Sequence, residues 1–501
     1  MAADPTAIPG APHPPALPDP PALPGPGDRV VAAGVGVTGL AVVRYLAGLG
    51  VGVVVTSNRP APAALDDIAG DVHFAGDLAE PPDGTTLVVT SAGLPPTHPL
   101  LAAAADRGIP VIGEVELAWW IDQRDPAGPR PWLVVTGTNG KTTTTGMLEA
   151  ILQQTGRRVT ACGNIGWPVI EAVTAVPRQE AIAVELSSFQ LHWAPSVRPA
   201  AGVVLNVAED HLDWHGSMAA YAADKARALC GQIALAVVDD PGAAELLQVA
   251  PAARIVAVTA GEPAPGGLGV RAGRLVDDAF GSGLGSGRGA FPTPQVPVTM
   301  VAADVRPPGR HNVTNALAAA GLAIAAGATA AHVRDGLLAF EPGGHRNVVI
   351  GSLATGGGDA VLFVDDSKAT NPHAALASLL AYPRVVWVAG GQLKGATVDE
   401  LVARVADRLA GVVMLGVDAP MIDSALSRHA PDVPREVVAG KDDDVMLTVV
   451  RAAVAMAAPG DVVLLAPAAA SLDMYSSYAA RGNAFADAAR ALGALPAGQP
   501  T

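Results

Sequence analysis

Short runs of valine, alanine and leucine recur along this chain. Each ends in glycine or a small polar residue and leads into a helical stretch, and this repetition decides most of what the chain can fold into. "RVVAAGVGVTGLAVVRYLAGLGVGVVV", from Arg29, reads as strand, glycine turn, helix and second strand, a βαβ unit that makes its two strands parallel. "TTLVVTSAGLPPTHPLLAAAADRGIPVIGEVELAWW" repeats strand, turn and helix, and "DQRDPAGPRP" reads as the linker that closes this module. A second series opens at "WLVVTGTNGKTTTTGMLEAIL" and runs through "RVTACGNIG", "AIAVELSSFQ" and "AGVVLNVAEDH". A third carries "AVLFVDD", "RVVWVAGG", "GVVMLG" and "DVVLLAP". Strands that are apolar on both faces belong to parallel sheets covered by helices, with ligands outside the strands' carboxyl ends. The expected class is α/β, three tandem domains: a Rossmann-like domain over 28–118, a central P-loop-type parallel sheet over 119–341, and a Rossmann-like domain over 342–501.

The length of 501 residues agrees, since about 150 residues make one domain. Residues 1–27, "MAADPTAIPGAPHPPALPDPPALPGPG", read as a solvated, disordered proline-rich tail, because proline cannot donate to a hydrogen-bonded element. The glycine- and proline-rich stretch 261–297 is expected to hold short strands and mobile loops. A net charge of −15 argues against a nucleic-acid partner, whose phosphates require clustered Lys and Arg. Cys162 and Cys230, the two cysteines, make neither a disulfide framework nor a cysteine zinc site and suit a reducing cytosol. No run of 18 apolar residues and no basic-then-apolar leader appears, so the expectation is a cytoplasmic protein without a membrane span.

"VVTGTNGKTTTTG" (Val134 to Gly146) resembles a phosphate-binding loop G-x-x-x-x-G-K-[ST] whose first glycine is displaced: Val135 stands there, and the nearest glycine is Gly137. A strand, glycines, then Lys-Thr entering a helix lets backbone N–H groups and the helix dipole hold phosphate oxygens. Lys141 would neutralise the β- and γ-phosphates, and the Thr142 hydroxyl would ligate Mg²⁺. "GVGVTG" (Gly34 to Gly39) is a literal G-x-G-x-x-G, yet the second strand ends "VVVTSNR" without the carboxylate that would hold a ribose, so a nucleotide-like ligand other than a redox dinucleotide fits better. "VAEDHLDWHG" gathers Glu209, Asp210, His211, Asp213 and His215 after one strand, and Glu185 ends another. Together they could ligate a second divalent cation or form a solvated acidic loop, and no ligand set has zinc spacing. In the third series Asp366, Lys368, Thr370 and Asn371 gather at a strand-to-helix turn, and Ser471, Tyr478 and Arg481 follow the last strong strand. From the residues alone this is an ATP-dependent enzyme whose modules each bring one substrate.

With these motifs together the sequence resembles the Mur ligases, which build the peptidoglycan stem peptide by ATP-dependent amide formation. Their loop T-G-T-N-G-K-[ST] matches Thr136 to Thr142, and "GNIG", "NVAEDHLDWHG", "GRHNVTNALAA", His345-Arg346 and "DDSKATN" recur in the family's order. "ELSSFQL" and "SLDMYSSYAARGNAF" resemble the member that adds D-glutamate to UDP-N-acetylmuramoyl-L-alanine. The resemblance implies that 28–118 receives the uridine diphosphate, through Gly36, Val37, Thr38, Ser57, Arg59, Ser91 and Gly93. Asn164, Ser187, Gln190 and His211 would orient the muramoyl-alanine arm. ATP would meet Gly137, Thr138, Asn139, Gly140, Lys141, Thr142 and Thr143, with Asn315, Arg346 and Asp366 at the adenosine end and Lys368 near the reacting phosphates. Two Mg²⁺ ions would be held by Thr142, Glu185, His211 and Lys225, the last matching the family's carbamylated lysine. Thr370, Lys394, Ser471 and Tyr478 would receive D-glutamate, and Lys141, Lys225, His211 and Lys368 would carry the chemistry, in an enzyme expected to be a monomer.

Some positions depart from the family pattern. "SNR" (Ser57, Asn58, Arg59) replaces the more frequent Asp-Thr-Arg, and Tyr478 stands where phenylalanine is usual. "VAGGQLKGA" lacks the acidic residue more often found before Lys394. The alternatives are a folylpolyglutamate-type ligase, a non-catalytic nucleotide-binding regulator, and an NAD-dependent dehydrogenase. The glycine motif of the first module disfavours the first of these, the intact lysines and Glu185 the second, and the missing carboxylate the third.

Overall fold

The computed structural model describes residues 21–280, 300–354, 359–440 and 444–496. Most of the predicted tail (1–20) and residues 281–299, which include the rest of the glycine-rich interruption from 281 to 297, lie outside the described residues. The chain forms two compact units: one from the residues up to Ala302 with Thr314–Phe340, the other from Ala303–Val313 with the residues from Glu341 on.

The first unit holds two sheets. β1 (Arg29–Ala33), β2 (Gly52–Thr56), β3 (Val72–Phe74), β4 (Thr85–Thr90) and β5 (Val111–Gly113) pair in the order β3-β2-β1-β4-β5, all parallel. Val30 and Val31 are both fully buried, as adjacent residues are only when helices cover both faces of a sheet. β6 (Trp132–Thr136), β7 (Val159–Gly163), β8 (Ala181–Glu185), β9 (Ala201–Val204), β10 (Ile233–Val237), β11 (Arg254–Val258), β12 (Leu268–Arg271) and β13 (Arg274–Asp277) make the second sheet, ordered β13-β12-β11-β10-β9-β6-β8-β7. Among its named strands in the described residues the β12–β13 pair alone is antiparallel, and these are short strands within the glycine-rich stretch. Each sheet reverses its winding beside its first strand, β1 or β6, and a ligand crevice opens at such a switch point.

One apolar core, from Val30 through Trp119, Trp120 and Trp132 to Ile182, runs through both sheets. The segment that reads as a linker is built into it. Buried Asp122 accepts from Arg130 Nε (2.5 Å), Arg130 N (3.2 Å) and Trp132 Nε1 (2.9 Å), and Asp125 accepts from Arg130 Nη2 (2.7 Å) and Arg178 Nε (2.8 Å). Five donors thus compensate two carboxylates at the joint, so it is a clamp rather than a hinge.

Glu114, which heads the helix Glu114–Asp122, is buried and accepts from Ile170 N at 2.6 Å. Burial pushes its carboxyl up to about 7 against that N–H, with the charge of Glu171 adding to the rise. A carboxyl raised in the folded state binds more protons folded than unfolded, so its contribution to stability falls as pH climbs from 4.5 to about 7. Glu114→Gln is therefore expected to melt like the parent near pH 5 and to be more stable by about 2–3 kcal/mol near pH 8. Urea melts at the two pH values check this, and equal differences at both would refute it.

The second unit holds β14 (Val348–Leu353), β15 (Val361–Asp365), β16 (Val385–Gly390), β17 (Leu409–Leu415), β18 (Arg435–Val437), β19 (Val462–Leu465) and β20 (Leu495–Pro496) in the order β18-β17-β16-β19-β15-β14-β20. The pairs from β18 to β15 are parallel, whereas β14 runs antiparallel to both its neighbours. β19 lies between β15 and β16, so the loops following these three strands emerge side by side.

Candidate active site

β6 ends at Thr136 and the helix Lys141–Gln153 follows, so the chain must turn through Gly137–Gly140. Gly140 has φ 84°, and a Cβ there would stand 2.7 Å from Asn315 Oδ1, so conformation and contact both exclude a side chain. Asn206, just past β9, ties the loop down: its Oδ1 accepts from Asn139 N at 2.7 Å and its Nδ2 donates to Asn139 O at 3.1 Å. Thr138 Oγ1 accepts from Ala208 N at 3.0 Å and lies 3.0 Å from the Tyr221 hydroxyl. Lys141 Nζ donates to the carbonyls of Gly137 and Thr138, both at 2.9 Å, which pins the ammonium to the loop. Thr142 and Thr143 lie in the first helical turn, whose N–H groups have no intrahelical acceptors and favour an anion.

Glu185 ends β8, the neighbour of β6, and is buried. Its Oε1 accepts from Asn164 Nδ2 at 2.9 Å, while Oε2 is buried without a hydrogen-bond partner. An unmatched buried carboxylate oxygen is costly, and a cation is the partner it suits. His211, half-exposed at φ 54°, precedes the helix Leu212–His215; burial lowers its basicity, Asp210 (3.5 Å from Nε2) opposes this, and Lys141 and Lys225 lower it further. Lys225 is sealed within the helix Met218–Ala226, its Nζ 4.4 Å from the Tyr221 ring centroid. Burial holds its pKa well below the ordinary lysine value and the charge of Lys141 lowers it further, against Asp210 and Asp224. Among the described residues no three His, Cys, Asp or Glu side chains converge into a metal cage. The arrangement therefore fits magnesium, which takes one or two carboxylates and completes its shell with phosphate oxygens and water.

Ser187 and Gln190 form a capping box on the helix Ser188–His192: Ser187 Oγ accepts from Gln190 N at 3.2 Å, and Gln190 Oε1 accepts from Ser187 N at 3.0 Å. Sequence reasoning passed over Asn206, Tyr221, Ser188 and Asp224. Tyr221 was the most findable, standing four residues before Lys225 on one helix face. The side chain of His215, read as part of the acidic cluster, is instead enclosed, and burial holds its pKa below the usual histidine value, with Asp224 opposing.

In the first sheet the three motif glycines have three separate reasons. Gly34 turns the chain at φ 122°, with Ser91 Cβ 2.8 Å from where its own Cβ would be. A Cβ on Gly39 would meet Gly34 O at 2.2 Å, so the helix Val37–Gly48 can pack this closely only with glycine there. Gly36 faces open space, leaving the backbone before Val37 and Thr38 approachable. Ser57 and Arg59 follow β2, with Ser57 Oγ accepting from Arg59 N at 3.0 Å. Ser91 and Gly93 follow β4, and Gly93 O accepts from Trp214 Nε1 at 3.1 Å, which ties this strand end to the helix beside His211. The candidate residues of this module thus lie at the ends of the adjacent strands β2, β1 and β4.

In the second unit Asp366 Oδ1 accepts from Asn347 N at 3.2 Å, next to Arg346. Burial pushes the Asp366 carboxyl up to about 7; Asp365 adds to the rise and Arg346 opposes it. Lys368 Nζ sits 4.0 Å from the Tyr478 ring centroid, a cation–π contact, so the ring supports the lysine. His345 Nδ1 lies 2.6 Å from Asp365 Oδ2, and Thr370 N donates to Lys368 O at 2.8 Å. Lys394, at φ 54°, follows β16, and buried Ser471 follows β19. Arg481 is fully buried and staples these loops together. Its guanidinium donates to Gly390 O (3.2 Å), Ala469 O (3.1 Å), Ser367 O (2.9 Å) and Ser367 Oγ (3.0 Å). Burial lowers its pKa to about 10. Arg481→Met is expected to destabilise this unit by about 3 kcal/mol or more, because several buried acceptors lose their donor, and Arg481→Lys should not restore the planar fork. Amide hydrogen exchange of β15, β16 and β19 reads the loss, and unchanged protection would refute the staple.

A phosphate loop beside an unmatched carboxylate, on a chain of three α/β sheets, defines a nucleotide-using α/β enzyme. Family models agree with it along the chain: the Mur ligase MurD-like N-terminal domain over residues 28–113, the Mur ligase middle domain over 135–323, and the Mur ligase glutamate ligase domain over 352–469. The chain belongs to the Mur ligase family. It is 51% identical to the UDP-N-acetylmuramoylalanine--D-glutamate ligase of Mycolicibacterium smegmatis, over 93% of this chain and 97% of that one. With the ligase of the same name from Streptomyces coelicolor it shares 48% identity, over 93% and 99%. Among solved structures it resembles MurF of Acinetobacter baumannii (TM-score 0.54, 17% identity, 93% and 91% covered). It is also similar to the UDP-N-acetylmuramate-alanine ligase of Thermotoga maritima (TM-score 0.53, 16% identity, 93% and 99% covered), and both likenesses show the shared fold.

Proposed function

We propose that this chain is an ATP-dependent ligase that joins D-glutamate to UDP-N-acetylmuramoyl-L-alanine, a cytoplasmic step of peptidoglycan synthesis. The observation that carries this reading is the 51% identity to a ligase of that name along nearly the whole of both chains. Residues 28–118 take the uridine diphosphate, 119–341 take ATP, and 342–501 take D-glutamate and part of ATP. The protein works as a monomer, and the described chain holds no helix long and apolar enough to cross a membrane.

The alanyl carboxylate attacks the γ-phosphorus of ATP. The bond to the β–γ bridging oxygen breaks, and ADP leaves an acyl phosphate. The D-glutamate amine then adds to that carbonyl, and the tetrahedral adduct expels phosphate as the amine loses its proton. Two anions must approach in the first step, so Lys141 and Lys368 supply positive charge that strengthens as charge gathers on the transferring group. Thr142, Glu185, His211 and Lys225 would hold magnesium, which would supply positive charge against the phosphate oxygens. Asn315, Arg346 and Asp366 hold the adenosine end. Asn164, Ser187 and Gln190 orient the muramoyl-alanine arm, and Thr370, Lys394, Ser471 and Tyr478 receive D-glutamate.

Lys225 carries a carbamate in this reading. Its burial supports this, because a neutral amine keeps the lone pair that attacks CO₂, forming an N–C bond and releasing one proton to leave an anion. Purified protein is expected to release phosphate only with UDP-N-acetylmuramoyl-L-alanine, D-glutamate, ATP and Mg²⁺ together. Equal release with L-lysine or meso-diaminopimelate would reassign the amino acid, and none with any amino acid would leave a nucleotide-binding regulator.

A further inference from the structure

Ser188, His215 and Asp224 stand in a hydrogen-bonded row that the reaction does not use. His215 Nε2 lies 2.9 Å from Ser188 Oγ, and His215 Nδ1 lies 3.1 Å from Asp224 Oδ2. With the carboxylate accepting at Nδ1, Nε2 keeps its lone pair and the serine hydroxyl donates to it. The order serine, imidazole, carboxylate is that of a hydrolase triad, but the His215 side chain is 1% exposed and Ser188 2%. No acyl group can reach that hydroxyl. The row is sealed, so it holds elements together.

What it joins is specific. Ser188 opens the helix Ser188–His192, three residues beyond Glu185. Asp224 immediately precedes Lys225 on the helix Met218–Ala226. His215 ends the helix Leu212–His215, which begins next to His211. A second tie runs in parallel: His192 Nδ1 lies 3.0 Å from the same Asp224 oxygen, Arg227 Nε is 3.5 Å from Asp224 Oδ1, and Arg227 Nη1 donates to His192 O at 3.1 Å. The His215 ring stacks on Phe189 at 5.3 Å and 12°, so it cannot swing out of the row. We infer that Ser188, His215 and Asp224 are positioning residues, a buried strut that fixes Lys225 and His211 relative to Glu185 and so sets the spacing of the cation-binding groups. The inference rests on the metal-binding reading of those three residues.

The test compares the parent with Asp224→Asn, Ser188→Ala, Ser188→Thr and the Asp224→Asn/Ser188→Ala double variant, each checked for folding by its thermal transition. Two quantities are read. One is the Mg²⁺ concentration that half-saturates binding of a non-hydrolysable ATP analogue; the other is the ¹³C carbamate signal after equilibration with ¹³C-bicarbonate. Cutting the strut that spaces the metal-binding groups is expected to raise the Mg²⁺ midpoint about ten-fold, the lower end of what losing a supporting contact around a metal site costs, with metal-free analogue binding unchanged. Ser188→Thr, which keeps the hydroxyl, should restore the midpoint. The double variant should be no worse than Asp224→Asn, because both cut one strut. Midpoints within about two-fold of the parent in folded Asp224→Asn and Ser188→Ala would overturn the strut, given the expected ten-fold change. Should Asp224→Asn fail to fold, Ser188→Ala and Ser188→Thr decide it alone. A parent without a carbamate signal removes the carbamate from Lys225, and the Mg²⁺ midpoints still decide the strut; a parent whose analogue binding ignores Mg²⁺ removes the metal-binding reading and the strut's role with it.

Discussion

Lys141→Ala is expected to lower phosphate release in the complete reaction by about a thousand-fold, the scale on which removing one preorganised donor from a charge-developing site acts. The loss should fall mainly on kcat, because the ammonium matters most when the γ-phosphoryl group is between donor and acceptor. The fold should survive: the Lys141 ammonium donates to the Gly137 and Thr138 carbonyls, whereas the turn is fixed by Gly140 and by the Asn206 clamp on Asn139. Lys141→Arg should recover little, since a planar fork does not fit a space shaped for a compact ammonium between two carbonyls. Steady-state kinetics with saturating and limiting ATP separate the two parameters. A rise in KM alone, with kcat kept, would mean that Lys141 only anchors the nucleotide.

Much of this architecture is legible in the sequence because parallel strands leave a coarse record. Valine-rich runs such as "WLVVT" and "RVVWVAGG" are buried on both faces, and each ends where the topology puts a ligand crevice. The glycine loops are equally legible, since Gly34, Gly39 and Gly140 stand where backbone or a neighbouring side chain leaves no room for a Cβ. What stays hidden depends on contacts distant in sequence. Asn206 clamps Asn139 from 67 residues away, and Arg481 reaches Ser367 across 114. The buried clamp of Asp122 and Arg130 reads as a linker because charged and proline residues look the same locally, paired or solvated. Arg481 illustrates the converse: a polar residue near the strand ends looks available to substrate, and its burial makes it a staple.

Lys225→Ala is expected to reduce turnover by about a thousand-fold or more, with part of it returning on addition of acetate or formate. Lysine in so buried a place is costly to fold: desolvation is the largest cause of its lowered pKa, with the charge of Lys141 adding to it. A lysine depressed in the folded state is protonated in the unfolded chain, so folding sheds a proton between the lowered value and 10.5, and this penalty deepens as pH falls. In protein freed of CO₂, where Lys225 is a plain amine, Lys225→Met should accordingly be more stable than the parent, by a margin that widens toward acid pH. Stability gained as activity vanishes would mark a residue kept for its chemistry. The rescue decides which chemistry. A carbamate is an anion at the end of a lysine stem, so a small carboxylate diffusing into the space left by Lys225→Ala can replace its charge. An ammonium would be replaced by a small amine instead. Recovery with acetate and none with methylamine assigns the anion, and the reverse pattern would make Lys225 a second cation facing the phosphates beside Lys141.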